Sequence, residues 1–217
     1  MASKHKSASN WSVTRLVASA TLGVLLLVLS LGGATISAVT GIPISSGIVN
    51  VFVSGAMFAF CTVLIRQFGS ATLMGTIYSI LAIPLPLFGS PGFAPKVLVG
   101  IIVGLIADTI SLILRSSPRI SSLFVGAATQ VSIVLIVAGL GVALGMPGID
   151  KMLDMFFKPL PLTGVLIAGG LAGILGFWVY SRIENRSVVI RIQATRPSNF
   201  NYNSMKSNSK ANSENNE

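Results

Sequence analysis

At 217 residues, 52% hydrophobic and only 10% charged, with a mean hydropathy of +0.81, the chain is too apolar for an ordinary soluble domain and reads as a polytopic membrane protein. Its net charge of +9 comes from basic residues set beside apolar runs, where membrane topology places them, so no nucleic-acid partner is expected. The lone cysteine, Cys61 in FAFCTVLI, excludes an internal disulfide, and the lone histidine, His5 in a polar leader, leaves no cluster at metal-ligand spacing.

In chain order, residues 1–12 form the polar leader, and the apolar run behind it extends from Leu16 to about Ala38. That is too long for a signal-peptide core, so it is expected to stay as a first span. No charge falls between Arg15 and Arg66, which is room for two crossings of roughly 20 residues in a ~30 Å hydrocarbon core. The break between them is expected at TGIPISSG (40–47), where glycine, proline and serines interrupt the pattern. Gln67 to Pro95 supplies a third span, ending in the loop GSPGFAP. The segment GFAPKVLVGIIVGLIADTISLILR (92–115) supplies the fourth, RSSPR (115–119) a turn, and Ile120 to Ile149 the fifth. After the amphipathic connection IDKMLDMFFKPLP, Leu162 to Ser181 makes the sixth. The expected fold is therefore all-α: a domain of six transmembrane helices over 13–181, in the cell membrane.

With the N-terminus inside, the cytoplasmic side collects Lys4, Lys6, Arg15, Arg66, Arg115, Arg119, Arg182, Arg186, Arg191, Arg196, Lys206 and Lys210, against Lys96, Lys151 and Lys158 outside. This bias predicts that both termini are cytoplasmic. The tail 182–217 begins with RIENRSVVIRIQATR, basic enough to lie against anionic lipid headgroups or simply to be solvated. Beyond Pro197 it is too poor in apolar residues to fold.

Two charges interrupt the fourth span. Asp108 lies roughly 20 Å in from the outer end, a costly depth for a carboxylate. It reads as an ion pair with Arg115, two helical turns on, as an ion-coupling carboxylate, or as a contact with a partner subunit. Lys96 opens the span, where it either snorkels to water or faces inward toward a solute. Asn50, Ser54, Gln130 with Thr129, and Thr163 lie at comparable depth; each either bonds a neighbouring helix or joins Lys96 in an outward-facing polar pocket. Asp150 and Asp154 either are solvated or line its entrance. Small residues recur at spacings of three and four, as in Gly100-x-x-x-Gly104 and Ser19-x-x-x-Gly23, which serves close helix packing or docking of a partner. No nucleophile–base pair, phosphate loop, paired carboxylates or ATP motif is present, so neither an enzyme nor a cofactor is expected. Any ATP-driven transport would need an ATPase on another chain.

Six spans, Gly/Pro-rich outer loops and a fourth span of the form APKVLVGIIVGLIAD resemble the substrate-binding S components of energy-coupling factor (ECF) vitamin transporters. The likeness covers roughly residues 13–181 and is strongest over 84–115. The resemblance implies a subunit that captures a vitamin or similar small molecule from outside and is driven by a transmembrane coupling subunit and two ATPases. It implies a pocket roofed by 39–46, 89–95 and 146–161 with Lys96 at its edge, Phe93, Phe156 or Phe157 as aromatic contacts, and Ala18, Ser19 and Gly23 as the docking stripe. The alternatives are an independent secondary transporter or channel, and a structural subunit of a larger membrane complex.

Overall fold

The computed structural model describes residues 11–40, 43–85, 92–145, 153 and 159–194. Among these, seven helices and no strand are found: α1 Val13–Thr40, α2 Pro43–Ile65, α3 Ser70–Leu81, α4 Lys96–Ile113, α5 Pro118–Ala143, α6 Pro159–Ile183 and α7 Ser187–Ala194. Among the described residues, four stretches are long and apolar enough to cross a membrane: Val13–Gly33, Lys96–Ile113, Pro118–Ala143 and Pro161–Ile183. Val49–Ile65 and Ser70–Leu81 are shorter apolar helical stretches. The outward faces carry Leu25, Val28 and Leu29 on α1, Ile102 on α4 and Leu171 and Leu175 on α6, all at least two-fifths exposed. An apolar girdle of this extent suits lipid and not water, and the chain is an all-helical membrane protein.

The expected breaks mostly match the helix ends. Pro43 opens α2 and Pro118 opens α5, where a missing backbone N–H is harmless. The third element differs. The uncharged stretch 67–95 reads as a full span, but α3 has only 12 residues, about 18 Å, and gives way to turns at residues 82–85. Residues 86–91 lie outside the described set, as do 146–152, 154–158 and the tail beyond 194, so expectations for Phe156, Phe157, Asp150 and Asp154 fall there.

α5 packs on α6, α2 on α6 and on α1, and α3 on α4 and α1. Small residues set these distances. A Cβ on Gly100 would stand 2.2 Å from the Gly75 carbonyl oxygen, and one on Gly126 would stand 2.2 Å from that of Gly169. Backbones this close gain dispersion contacts along their whole length, which is what holds helices together where lipid competes for apolar surface. Around these contacts, Leu26, Phe58, Cys61, Met74, Tyr78, Val103 and Val125 form the buried core.

Alternating helix directions gather the arginines at one end. Arg15 at the start of α1 is buried and donates to the Gln67 side chain beyond α2 and to the Ile192 and Gln193 carbonyl oxygens of α7. Arg119 at the start of α5 lies 5.6 Å from the Phe177 ring centroid near the end of α6, and Arg182 lies 4.8 Å from that of Trp178. Within the tail, where composition suggests only a basic flank, α7 folds back under the bundle. Val189 and Ile192 are buried, and Gln193 donates to the Tyr180 hydroxyl and the Leu64 carbonyl oxygen. A helix of 8 residues is too short to persist alone, so tertiary contact makes it.

Candidate functional site

Both charges of α4 face α3. The buried residues of α4 are Lys96, Val99, Gly100, Val103, Gly104, Ala107 and Asp108, one helical stripe at spacings of three and four. Lys96 and Asp108 stand about 18 Å apart along it, the length of α3. Because α3 runs antiparallel, Asp108 meets its start and Lys96 its end. The Asp108 carboxylate accepts from the backbone N–H of Ala71 at 3.1 Å, from that of Thr72 at 2.9 Å and from the Thr72 hydroxyl at 2.7 Å. The Lys96 ammonium donates to the carbonyl oxygens of Leu85 at 2.6 Å and Ala82 at 3.4 Å.

The physical reason lies in the shortness of α3. Every helix leaves four N–H groups at its start and four carbonyls at its end without intrahelical partners. A helix of 18 Å in a hydrocarbon layer of about 30 Å cannot bring both ends to water, and unsatisfied backbone there costs several kcal/mol per group. Gly69, the residue before α3, offers no side chain as a cap. The neighbouring helix supplies the acceptor at one end and the donor at the other, each with the charge that the α3 dipole favours. This corrects the expected ion pair of Asp108 with Arg115. The oxygens of Asp108 are occupied by α3, while Arg115 is exposed beyond the end of α4 and is not among the groups bonding them. Three donors on two oxygens is what an ionised carboxylate accepts.

Lys96 also lines a hollow at its end of the bundle. Ser54 and Phe58 of α2, Tyr78 and Ser79 of α3, Val99, Gly100 and Val103 of α4, and Ile133 of α5 complete the lining. The hollow is narrow, about 10 Å³, room for roughly one water molecule. Lys96 is turned inward and only 1% exposed, so it does not snorkel. A third donor on its ammonium has no partner among the described residues.

The expected pocket residues divide. Ser54 and Lys96 line the hollow. Gln130, 2% exposed, stands behind it and donates to the Ser54 hydroxyl at 2.9 Å, and that hydroxyl donates to the backbone carbonyl of Asn50. The Asn50 side-chain oxygen, one turn above Ser54, is buried without a partner among the described residues. Thr129 turns its hydroxyl to the Gly126 carbonyl oxygen. Thr163 is exposed on α6 and Phe93 is half-buried in the turn before α4, and neither is part of the lining. Tyr78 and Ser79 were not anticipated. Val99, Gly100 and Val103 follow Lys96 by three, four and seven residues, and that spacing alone would have found them.

The expected docking stripe on α1 is internal. Ser19 is fully buried, Ala18 packs half-buried against the core, and a Cβ on Gly23 would stand 2.7 Å from the Met74 carbonyl oxygen of α3. Their small size lets α1 approach α3, and Ser19 and Gly23 face that contact. Among the described residues no group of three or more His, Cys, Asp or Glu side chains is placed to hold a metal. Compared with family models, curated proteins and solved structures, the chain matches none.

Proposed function

We propose that this protein captures a small solute from the outer face of the cell membrane as the substrate-binding subunit of an ECF-type importer. The arginine-rich end and both termini in the cytoplasm complete the reading, by the bias of basic residues toward that side. The observation that carries it is the hollow at the opposite end, into which a buried lysine is turned. A cation held inside a bundle is costly, and a site that binds solute gives it a use beyond closing α3. Partner subunits, a transmembrane coupling protein and an ATPase pair, supply the energy. The coupling protein meets outward-facing apolar residues of the bundle, such as Leu25 and Val28, and not the buried Ser19 and Gly23. Independent ion-coupled transport through Asp108 has less support, because its oxygens already close the start of α3.

The test is purification in mild detergent followed by mass spectrometry of retained small molecules, with Val103→Phe to fill the hollow. Wild type is expected to retain a solute that the variant loses, and to co-purify from its native membrane with an ATPase pair. Retention of no molecule, together with no stabilisation by any added solute, would overturn the reading. Uptake into liposomes by the purified chain alone would replace it with an independent transporter.

A further inference from the structure

The outer surface of α6 orders its residues as a phospholipid orders its parts. Leu171, Leu175, Trp178 and Arg182 follow one another at steps of four, three and four, so they form one exposed stripe about 16 Å long. Two leucines come first, at the depth of acyl chains. An indole follows, the ring that sits at headgroup level, and then a guanidinium. Arg182 lies over the Trp178 ring, 4.8 Å from its centroid. A guanidinium held there by its charge keeps in-plane N–H groups for a bidentate bond to a phosphate. The neighbouring α5 repeats the order from the arginine-rich end inward: Arg119 lies 5.6 Å from the Phe177 ring centroid, and Ile120 and Phe124 behind it are exposed. Glu184, two residues past Arg182, accepts from the Tyr180 hydroxyl at 3.3 Å. The chain as a whole cannot neutralise its cations, since 15 Lys and Arg against 6 Asp and Glu leave a net charge of +9 wherever the undescribed residues lie.

We propose that this end of α6 is a binding site for one anionic phospholipid of the adjacent leaflet. Its phosphate accepts from the Arg182 guanidinium, one chain lies along Leu171, Leu175 and Trp178, and Arg119 adds to the positive potential from α5. The two parts of the stripe select against different competitors. A zwitterionic lipid matches the apolar part, but it carries its own cation to the arginine and gains less from the charge. A soluble anion matches the charge and has nothing to lay on the leucines and the indole. The site stands apart from solute capture, which concerns the opposite end of the bundle, and neither depends on the other.

Trp11 and Trp178 are the two tryptophans of the chain, which makes lipid contact measurable by quenching. The full-length Trp11→Phe protein is reconstituted in phosphatidylcholine mixed with dibrominated phosphatidylglycerol or, in parallel, with dibrominated phosphatidylcholine. Loss of Trp178 fluorescence then gives the relative affinity of the two lipids beside the ring. The anionic lipid is expected to bind at least about fivefold tighter, the worth of one arginine near a charged headgroup. Arg182→Gln should bring the ratio close to one, and Arg182→Lys should keep most of it. Trp11, read in a Trp178→Phe protein, lies at the same end with no arginine over its ring among the described residues, and it should show a smaller ratio. Should Arg182→Gln fail to reconstitute, the comparison of the two tryptophans, both with Arg182 intact, still decides. A ratio of one at Trp178, or equal ratios at Trp178 and Trp11, would overturn the site, the second by replacing it with a diffuse attraction to the whole basic end. A preference abolished by inorganic phosphate at millimolar concentration would assign Arg182 to a soluble anion and overturn the lipid as occupant.

Discussion

Replacing Asp108 by asparagine asks whether the carboxylate closes α3 or pairs with an arginine. Asparagine keeps one carbonyl oxygen, enough for the Ala71 N–H, but puts an amide donor where the other oxygen now faces the Thr72 N–H and hydroxyl. The Thr72 hydroxyl can rotate to accept from that amide; the backbone N–H cannot. The substitution therefore strands one buried donor and removes the charge that favours the helix start. A buried unsatisfied donor costs ~1–3 kcal/mol, and the loss at the helix dipole adds ~0.3–1 kcal/mol, so the total is about 1–4 kcal/mol. Asp108→Ala removes all three bonds and should cost more. Two measurements check this: loss of thermal stability in detergent, and faster hydrogen exchange confined at first to the amides of Ala71 and Thr72. Arg115→Ala should leave both unchanged. If Arg115→Ala destabilises as much as Asp108→Asn while those amides exchange at wild-type rates, the carboxylate is an ion-pair member and the closure of α3 has another cause.

Gly100→Val should separate α3 from α4, because even a Cβ would stand 2.2 Å from both the Gly75 carbonyl oxygen and the Ser79 hydroxyl; a cost above about 2 kcal/mol is expected. Gly139→Val, with nothing within 4 Å of its Cβ, is the control, and equal melting of the two variants would contradict the packing argument. Arg15→Ala should free α7, since it removes the donors to the Ile192 and Gln193 carbonyl oxygens; trypsin should then cut at Arg186 and Arg191 several-fold faster, and an unchanged digestion rate would show that Val189 and Ile192 hold the helix without it.

Hydropathy and punctuation located most of the elements, because each long helix must be apolar over its whole membrane length and its ends fall where glycine, proline or arginine interrupts that run. Pro43 and Pro118 opening α2 and α5 illustrate this. The same logic overextended α3. An uncharged stretch ending in a Gly/Pro loop looks alike whether it is one span or a short helix followed by turns, and only the partners at its two ends tell them apart. For α7, buriedness is decided by Arg15, Tyr180 and Leu64, which are distant in the sequence.

For the site, composition alone singled out Lys96 and Asp108, since a charge inside an apolar span is conspicuous whatever surrounds it. It also grouped Ser54 with Gln130, two polar side chains at similar depth on α2 and α5 that do meet. Partner choice could not be read there. Asp108 has an arginine two turns along its own helix, yet its oxygens are taken by backbone N–H groups 36 and 37 residues away in the chain. Ser19 and Gly23 have the spacing of a docking motif, yet they face α3. Small-residue spacing and isolated charges specify that a helix has a close or polar neighbour, and they are silent on which one. That assignment belongs to the packing of α1, α3 and α4, where a helix too short to reach water at both ends takes its missing acceptor and donor from the helix beside it.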